Sequence, residues 1–328
     1  MNKTFKILAA AAAVLAFASS AASAKTILRL GTDVSVQNTQ GQGAKHFAEL
    51  VKERSKGSIE VKVYFDSTLG NTMSLISGAR GGTLDIAMVG SSNVSGLAPQ
   101  LAVLDIPFIF KDKAHAYRVL DGDVGARLMD TLSDKNLKGL AFFENGFRNI
   151  TNSKKPIVEP DDVKGLKIRV PQSSMLVETF KALGANPVPM AFGELYTAME
   201  TGAIDAQDHP ISTLYAGKFY EIQKYLSMTR HAYTAVAVIM NKKKFEKLSA
   251  DDQKLILDCA HESAAFQRDL NSKQEDTMVE EMKKAGIYVN DNVDLNAFVE
   301  KTKDVRKIFT DKNGDEFVKA IDALRDAK

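Results

Sequence analysis

Between Gly165 and Pro210 the chain alternates short apolar segments with helix-period runs, and this alternation narrows the available folds more than any other feature. Residues 166–170 form a short strand interrupted by Arg169 and ended by Pro171, which cannot donate to a sheet ladder. Residues 173–183 follow at helical spacing and stop at Gly184, the residue type favoured just past a helix end. A second strand at 185–189, a second helix at 191–201 closed by Gly202, and a third strand at 203–207 precede the polar pair Asp208 and His209. Strands joined by short helices make a parallel sheet. Ligands of such sheets sit outside the carboxyl ends of the strands, where Arg169 and His209 both fall.

The same pattern occurs earlier. A strand at 26–31 leads through a polar loop, 32–42, into an amphipathic helix at 44–55 with Phe47, Leu50 and Val51 on one face. A strand at 59–65, a helix at 72–80 and a strand at 84–89 complete the unit. Two such units predict an α/β chain of two similar lobes around a hinge cleft. The apolar run LAVLDIPFIF at 101–110 reads as a buried segment packed between elements, and helices are predicted at 113–120 and 124–135. A strand at 137–144 leads into a turn-like crossing at 145–149, where the first hinge strand is placed. A short helix at 219–225 and strands at 225–229 and 233–241 bring the chain back, so that several connections restrict the lobes to opening and closing. Helices at 242–248 and 250–286 follow, the second unusually long, and a helical tail at 296–326 is expected on the second lobe. The expected division is 25–146 plus 235–274 for lobe I and 147–234 plus 275–328 for lobe II.

Residues 1–24 have the pattern of a bacterial export signal: Lys3 and Lys6, an apolar stretch too short to span a membrane, and Ala22-Ser23-Ala24 as a cleavage site. The chain carries 43 basic and 41 acidic residues, and the leader holds two of the bases and no acid. What remains is neutral, which argues against nucleic acid as a partner. The sole cysteine, Cys259, rules out an internal disulfide and reads as a buried, inert thiol.

The segments GLKIRVP (165–171), PVPMAF (187–192) and IDAQDHP (204–210), in this order and spacing, resemble the periplasmic solute receptors of tripartite ATP-independent (TRAP) transporters. That family includes sialic-acid and C4-dicarboxylate receptors, and the likeness runs from the first strand to about His261. It implies a two-lobed periplasmic binding protein fold, class II-like, with a long helix across both lobes. The implied function is that of a monomeric receptor that delivers a small organic acid, a C4-dicarboxylate or a sugar acid, to the small and large membrane subunits of a permease. No cofactor or metal is required.

In these receptors the arginine of the GLKxRVP motif clamps the ligand carboxylate, which assigns that role to Arg169. A guanidinium presents a planar donor fork matching a carboxylate; the alternative is an ion pair with one of the chain's own acids. Arg148 resembles a second arginine of the sialic-acid receptors, with pairing to Glu144 as its alternative. Gln172 stands where a polar amide follows RVP, and Phe192 where an aromatic packs on the ligand body or simply joins the core. His209 replaces the asparagine of a QENP motif; an imidazole there can donate to the ligand and, once protonated, add charge and pH sensitivity. Asp208 is expected to brace the loop or His209. On the first lobe Asp33 matches an asparagine, Asn71 or Thr72 an aspartate, and Gly90, followed by Ser91, a glutamate that holds the sugar's distal hydroxyls. The missing glutamate counts against sialic acid.

Enzyme motifs are absent from the sequence: it has no H-E-x-x-H, no G-x-S-x-G and no phosphate-binding loop. The rival readings are an ATP-driven transporter's binding protein, a sensor's accessory receptor, and a periplasmic hydrolase acting through His209 and Asp208.

Overall fold

The computed structural model describes residues 25–327, and the expected export leader, residues 1–24, lies outside them. Nine strands are found among the described residues: β1 (Thr26–Thr32), β2 (Ile59–Tyr64), β3 (Ile86–Gly90), β4 (Leu137–Asn152), β5 (Lys167–Val170), β6 (Asn186–Pro189), β7 (Ala206–His209), β8 (Tyr225–Asn241) and β9 (Tyr288–Asn290). They join one mixed sheet in the order β2-β1-β3-β8-β4-β7-β5-β6, with β9 on β8.

The two units expected from the sequence are parallel, and each has its first strand in the middle, β2-β1-β3 and β6-β5-β7. Between them run the long strands β4 and β8, paired antiparallel to each other and to the inner edge of each unit. Because β4 and β8 are common to both halves, the sheet itself forms the hinge. Three register shifts interrupt their pairing, and the largest leaves residues 228–231 of β8 without partners on β4. The hinge strand placed at 145–149 is strand, but it continues 137–144 without a turn and is bent at Gly146, and the gap foreseen between 229 and 233 coincides with the irregular stretch.

Four apolar clusters pack on the sheet. Leu28, Leu30, Ile86, Met88, Val236 and Val238 belong to one cluster of lobe I, while Ala87, Val89, Ala235 and Ala237 belong to another. Alternate residues of β3 and β8 thus serve opposite faces, as the two-residue period of a strand dictates. Lobe II repeats this with one cluster around Ile168 and Phe180 and another around Leu195 and Phe219. The run at 101–110 is buried as expected and opens with a 3-10 helix, Pro99–Asp105.

The helix Ala250–Lys284 is capped by Ser249, whose side chain accepts from Asp252 N. It packs against helix Thr39–Arg54 of lobe I and helix Ile211–Ala216 of lobe II, and so spans both. The tail meets both lobes rather than the second alone: Phe298 enters a lobe II cluster, while Val318 and Ile321 enter a lobe I cluster. Its last helix is tied down where His115 Nε2 meets Ile321 O at 2.9 Å.

Candidate functional site

Residues at or just after the carboxyl ends of β1 and β3 from lobe I and of β5 and β7 from lobe II line a common space. Between them lies a cavity of about 50 Å³, lined by Asp33, Thr72 and Gly90 on one side and by Arg169, Phe192 and His209 on the other, with Arg148 between. Seven of the ten residues expected at the site thus come together. The other three do not line it: Gln172 is exposed, Asn71 caps helix Thr72–Gly81, and Ser91 is buried. Ser92, Asn93, Gln40, Asn145, Thr213 and Thr234 line the cavity as well. Nothing in their residue types marked them; the local signal was position, since Ser92 and Asn93 follow β3 directly and Gln40 opens a helix after the polar loop.

Arg169 is 3% exposed. Its Nε and Nη2 donate to the Met190 carbonyl at 3.0 and 2.7 Å, and its Nη1 lies 3.3 Å from His209 Nε2. Among the described residues no carboxylate is within ion-pair distance of it, so the alternative of an internal salt bridge is not what the fold adopts. Burial, followed by repulsion from Arg148, lowers its pKa to about 10. A guanidinium has five N–H donors. With three engaged, one remains on each terminal nitrogen, the pair that grips a carboxylate end-on.

Arg148 is paired, but with Asp208 rather than Glu144. Its Nε donates to Asp208 Oδ2 at 2.5 Å, Nη2 to Oδ1 at 3.0 Å, and Nη1 to Thr234 Oγ1 at 3.2 Å. Glu144 is instead engaged by Tyr117, Asn271 and Lys113. His231, a scattered histidine in the sequence, completes the group with Nε2 3.1 Å from Asp208 Oδ2. Burial pushes the Asp208 carboxyl up, but Arg148 and His231 override it and hold it well below the usual carboxylate range. Asp208 therefore braces Arg148, not the loop or His209.

His209 also departs from expectation. Burial, Arg148 and Arg169 push its pKa well below 6.5, the reverse of a gain in pH sensitivity near neutrality. Its ring lies edge-on to Phe192, with centroids 5.5 Å apart. Across the cavity Asp33 accepts a hydrogen bond from the Thr72 hydroxyl, and burial raises its pKa.

Direct bonds draw the lobes together around this cavity. Asn145 Oδ1 accepts from Gln40 Nε2 of lobe I and Thr213 Oγ1 of lobe II, both at 2.9 Å. Asp105 accepts from Ser92 of lobe I and Ser173 of lobe II, both at 2.7 Å. The arrangement can hold a small anion by one cationic fork and surround it with hydroxyl and amide groups. Among the described residues no group of His, Cys, Asp and Glu has the makings of a metal site, and no helix is long and apolar enough to cross a membrane.

The chain matches the model of bacterial extracellular solute-binding protein, family 7, over residues 30–313. It is 44% identical over 317 residues to the 2,3-diketo-L-gulonate-binding periplasmic protein YiaO of Escherichia coli K12, covering 96% of each chain. It is similar to a TRAP periplasmic solute-binding protein of Polaromonas sp. JS666 solved with D-erythronate, with a TM-score of 0.90 and 33% identity over 93% of this chain and 100% of that one. The sugar acid binding protein DctPAm of Advenella mimigardefordensis, solved with galactonate, gives a TM-score of 0.89 and 36% identity over 93% and 99%. The chain belongs to bacterial extracellular solute-binding protein family 7 and is a periplasmic solute receptor of the TRAP type.

Proposed function

We propose that this receptor binds a small sugar acid, its carboxylate docked on Arg169 and its hydroxyls read by the opposite wall. The observation that carries this reading is the buried Arg169 fork, which none of the described carboxylates neutralises. Arg148 is already matched by Asp208, so the cavity offers one uncompensated cation rather than two. A second carboxylate on the ligand would find no second uncompensated cation and would meet Asp33, which favours a sugar acid over a C4-dicarboxylate. Polyhydroxy chains suit Asp33, Thr72, Ser92, Asn93 and Asn145, which offer both donors and acceptors. The relative named for 2,3-diketo-L-gulonate and the two structures solved with D-erythronate and galactonate support this class, while more distant relatives are named for C4-dicarboxylates. Phe192 covers the carbon chain.

Closure follows because the ligand touches both lobes only when they meet, so its differential contacts favour the closed state. The closed receptor delivers the acid to the small and large TRAP membrane subunits and performs no chemistry on it. A thermal-shift screen with D-erythronate, galactonate, 2,3-diketo-L-gulonate and succinate tests the reading. A sugar acid at a hundred times its Kd adds about 2.7 kcal/mol. Arg169→Ala removes that gain. Full-strength binding by the variant, or recovery of a chemically altered acid, would overturn the proposal.

A further inference from the structure

We infer that His209 is a positioning residue for Arg169, held by Gln207 as the Nδ1–H tautomer so that its Nε2 accepts from the guanidinium and aims the fork. This rests on the reading of Arg169 as the carboxylate anchor, but its first test does not. The guanidinium is the one group in this chain of contacts that has no acceptor; it only donates. Arg169 Nη1 lies 3.3 Å from His209 Nε2, so a bond exists there only when Nε2 carries no proton. The ring proton is then on Nδ1, within bonding distance of Gln207 Oε1. That contact orients the Gln207 amide, whose Nε2 donates to Thr151 Oγ1 at 2.6 Å. Every bond from Arg169 to Thr151 thus takes its direction from the arginine.

The sheet builds this relay. Thr151 of β4 is the register partner of Gln207 on β7, and Gln207 is the register partner of Arg169 on β5. His209 lies two residues along β7 from Gln207, which returns it to the same face. Thr151 and Gln207 are fully buried, with Arg169 and His209 at 3% and 5% exposure. The charged groups facing His209 are Arg148 on β4, Arg169 on β5 and its neighbour Asp208, while Phe192 and Phe219 cover the ring. Asp208 is committed to Arg148 and His231, so nothing on this side rewards an imidazolium. Protonation would set an N–H of the ring against an N–H of Arg169. With Met190 taking two donors and His209 a third, the remaining two are the pair directed at the ligand.

Long-range ¹H–¹⁵N spectra of the five ring systems, with the His209 signal assigned by its loss in His209→Gln, give the first test. The expected result is a ring protonated at Nδ1 only, with no titration between pH 8 and 5.5. The opposite tautomer, or a midpoint near 6.5, overturns the inference whatever the ligand. The second test is Gln207→Glu, which offers Nδ1–H a carboxylate and favours the imidazolium. The probe is whichever of D-erythronate, galactonate and 2,3-diketo-L-gulonate stabilises the wild type most. Affinity is expected to fall at least tenfold at pH 7 and to recover partly as pH rises, while Gln207→Met loses affinity without gaining pH dependence. Wild-type affinity with a flat pH profile in Gln207→Glu overturns the positioning role. If Arg169→Ala binds normally while the tautomer is as stated, the anchor assignment has failed and the relay geometry has not.

Discussion

Arg148 and Asp208 form a two-pronged ion pair inside the hinge, with contacts of 2.5 and 3.0 Å and side chains 2% and 0% exposed. The pair joins β4 to β7, and His231 of β8 closes it from the third strand. Removing one partner of a buried pair leaves the other charge without compensation, at a cost of about 3–5 kcal/mol. Asp208→Asn is therefore expected to lower unfolding stability by roughly that amount, read by urea denaturation at pH 7. The pH sign follows from the depressed native pKa: the pair's contribution is present above the unfolded carboxylate value, about 4, and is lost as pH falls through the lower native one. The variant's stability should thus fall less steeply in acid than the wild type's. Parallel acid limbs would refute the assignment.

Asp105 behaves in the opposite sense. Burial raises its pKa to about 6 despite the hydroxyls of Ser92 and Ser173. A raised native pKa contributes stability below the unfolded value of about 4, and this is lost as pH climbs through about 6. Asp105→Asn keeps the size and one acceptor without the charge. It is expected to stabilise the protein at pH 7.5 by on the order of 2 kcal/mol and to flatten the pH dependence between 4 and 6. Since Ser92 and Ser173 belong to different lobes, the same substitution reports on closure. Thermal melts across pH 4–8, with and without ligand, check both; a variant less stable than wild type at pH 7.5 contradicts the reading.

The outline of the fold was legible because it depends on period and punctuation. The three-strand units, the caps near Gly184 and Gly202 and the long helix are all written locally. The crossing at 145–149 was legible as a hinge strand, but its continuity with 137–144 as one long β4 was not: polar residues at Asn145, Arg148 and Asn149 look turn-like until one sees that they are buried against β7 and β8. The tail's return to lobe I escaped for a similar reason, since an amphipathic helix shows that it packs but not on what. At the site, Arg169 stood out because a charge in an apolar strand needs an explanation. Arg148's partner did not, because Asp208 is 60 residues away along the chain. His209 misled because ring chemistry alone does not tell a donor from an acceptor; the neighbouring guanidinium does.

Ile321 measures what the tail contributes. It is 0% exposed, sits in the cluster that includes Val119 and Leu128, and its carbonyl meets His115. Ile321→Ala is expected to cost about 2–5 kcal/mol, the range for truncating a buried aliphatic chain. Exposed Val299, at 44%, provides the control, since the same truncation there should stay within about 0.5 kcal/mol. Chemical denaturation of the two variants decides it, and equal effects would show that the tail does not dock on lobe I as described.

Gly146 is where the hinge strand tolerates least. Its φ is +118, a region that side chains rarely adopt, and it falls at a register shift between β4 and β8. A Cβ there would stand 3.3 Å from Glu144 Oε1 and 3.3 Å from Pro210 Cβ. Neither neighbour can retreat easily: Glu144 is held by Tyr117 and Asn271, and Pro210 follows His209 at the head of helix Ile211–Ala216. Gly146→Ala is expected to cost on the order of 1–3 kcal/mol in stability. Because Glu144 faces lobe I and Pro210 belongs to lobe II, the added methyl should also hinder their approach and weaken ligand binding, chiefly by slowing closure. Urea denaturation and stopped-flow binding separate the two effects. A variant with wild-type stability and wild-type binding kinetics would show that the bend at Gly146 is not where the lobes are held.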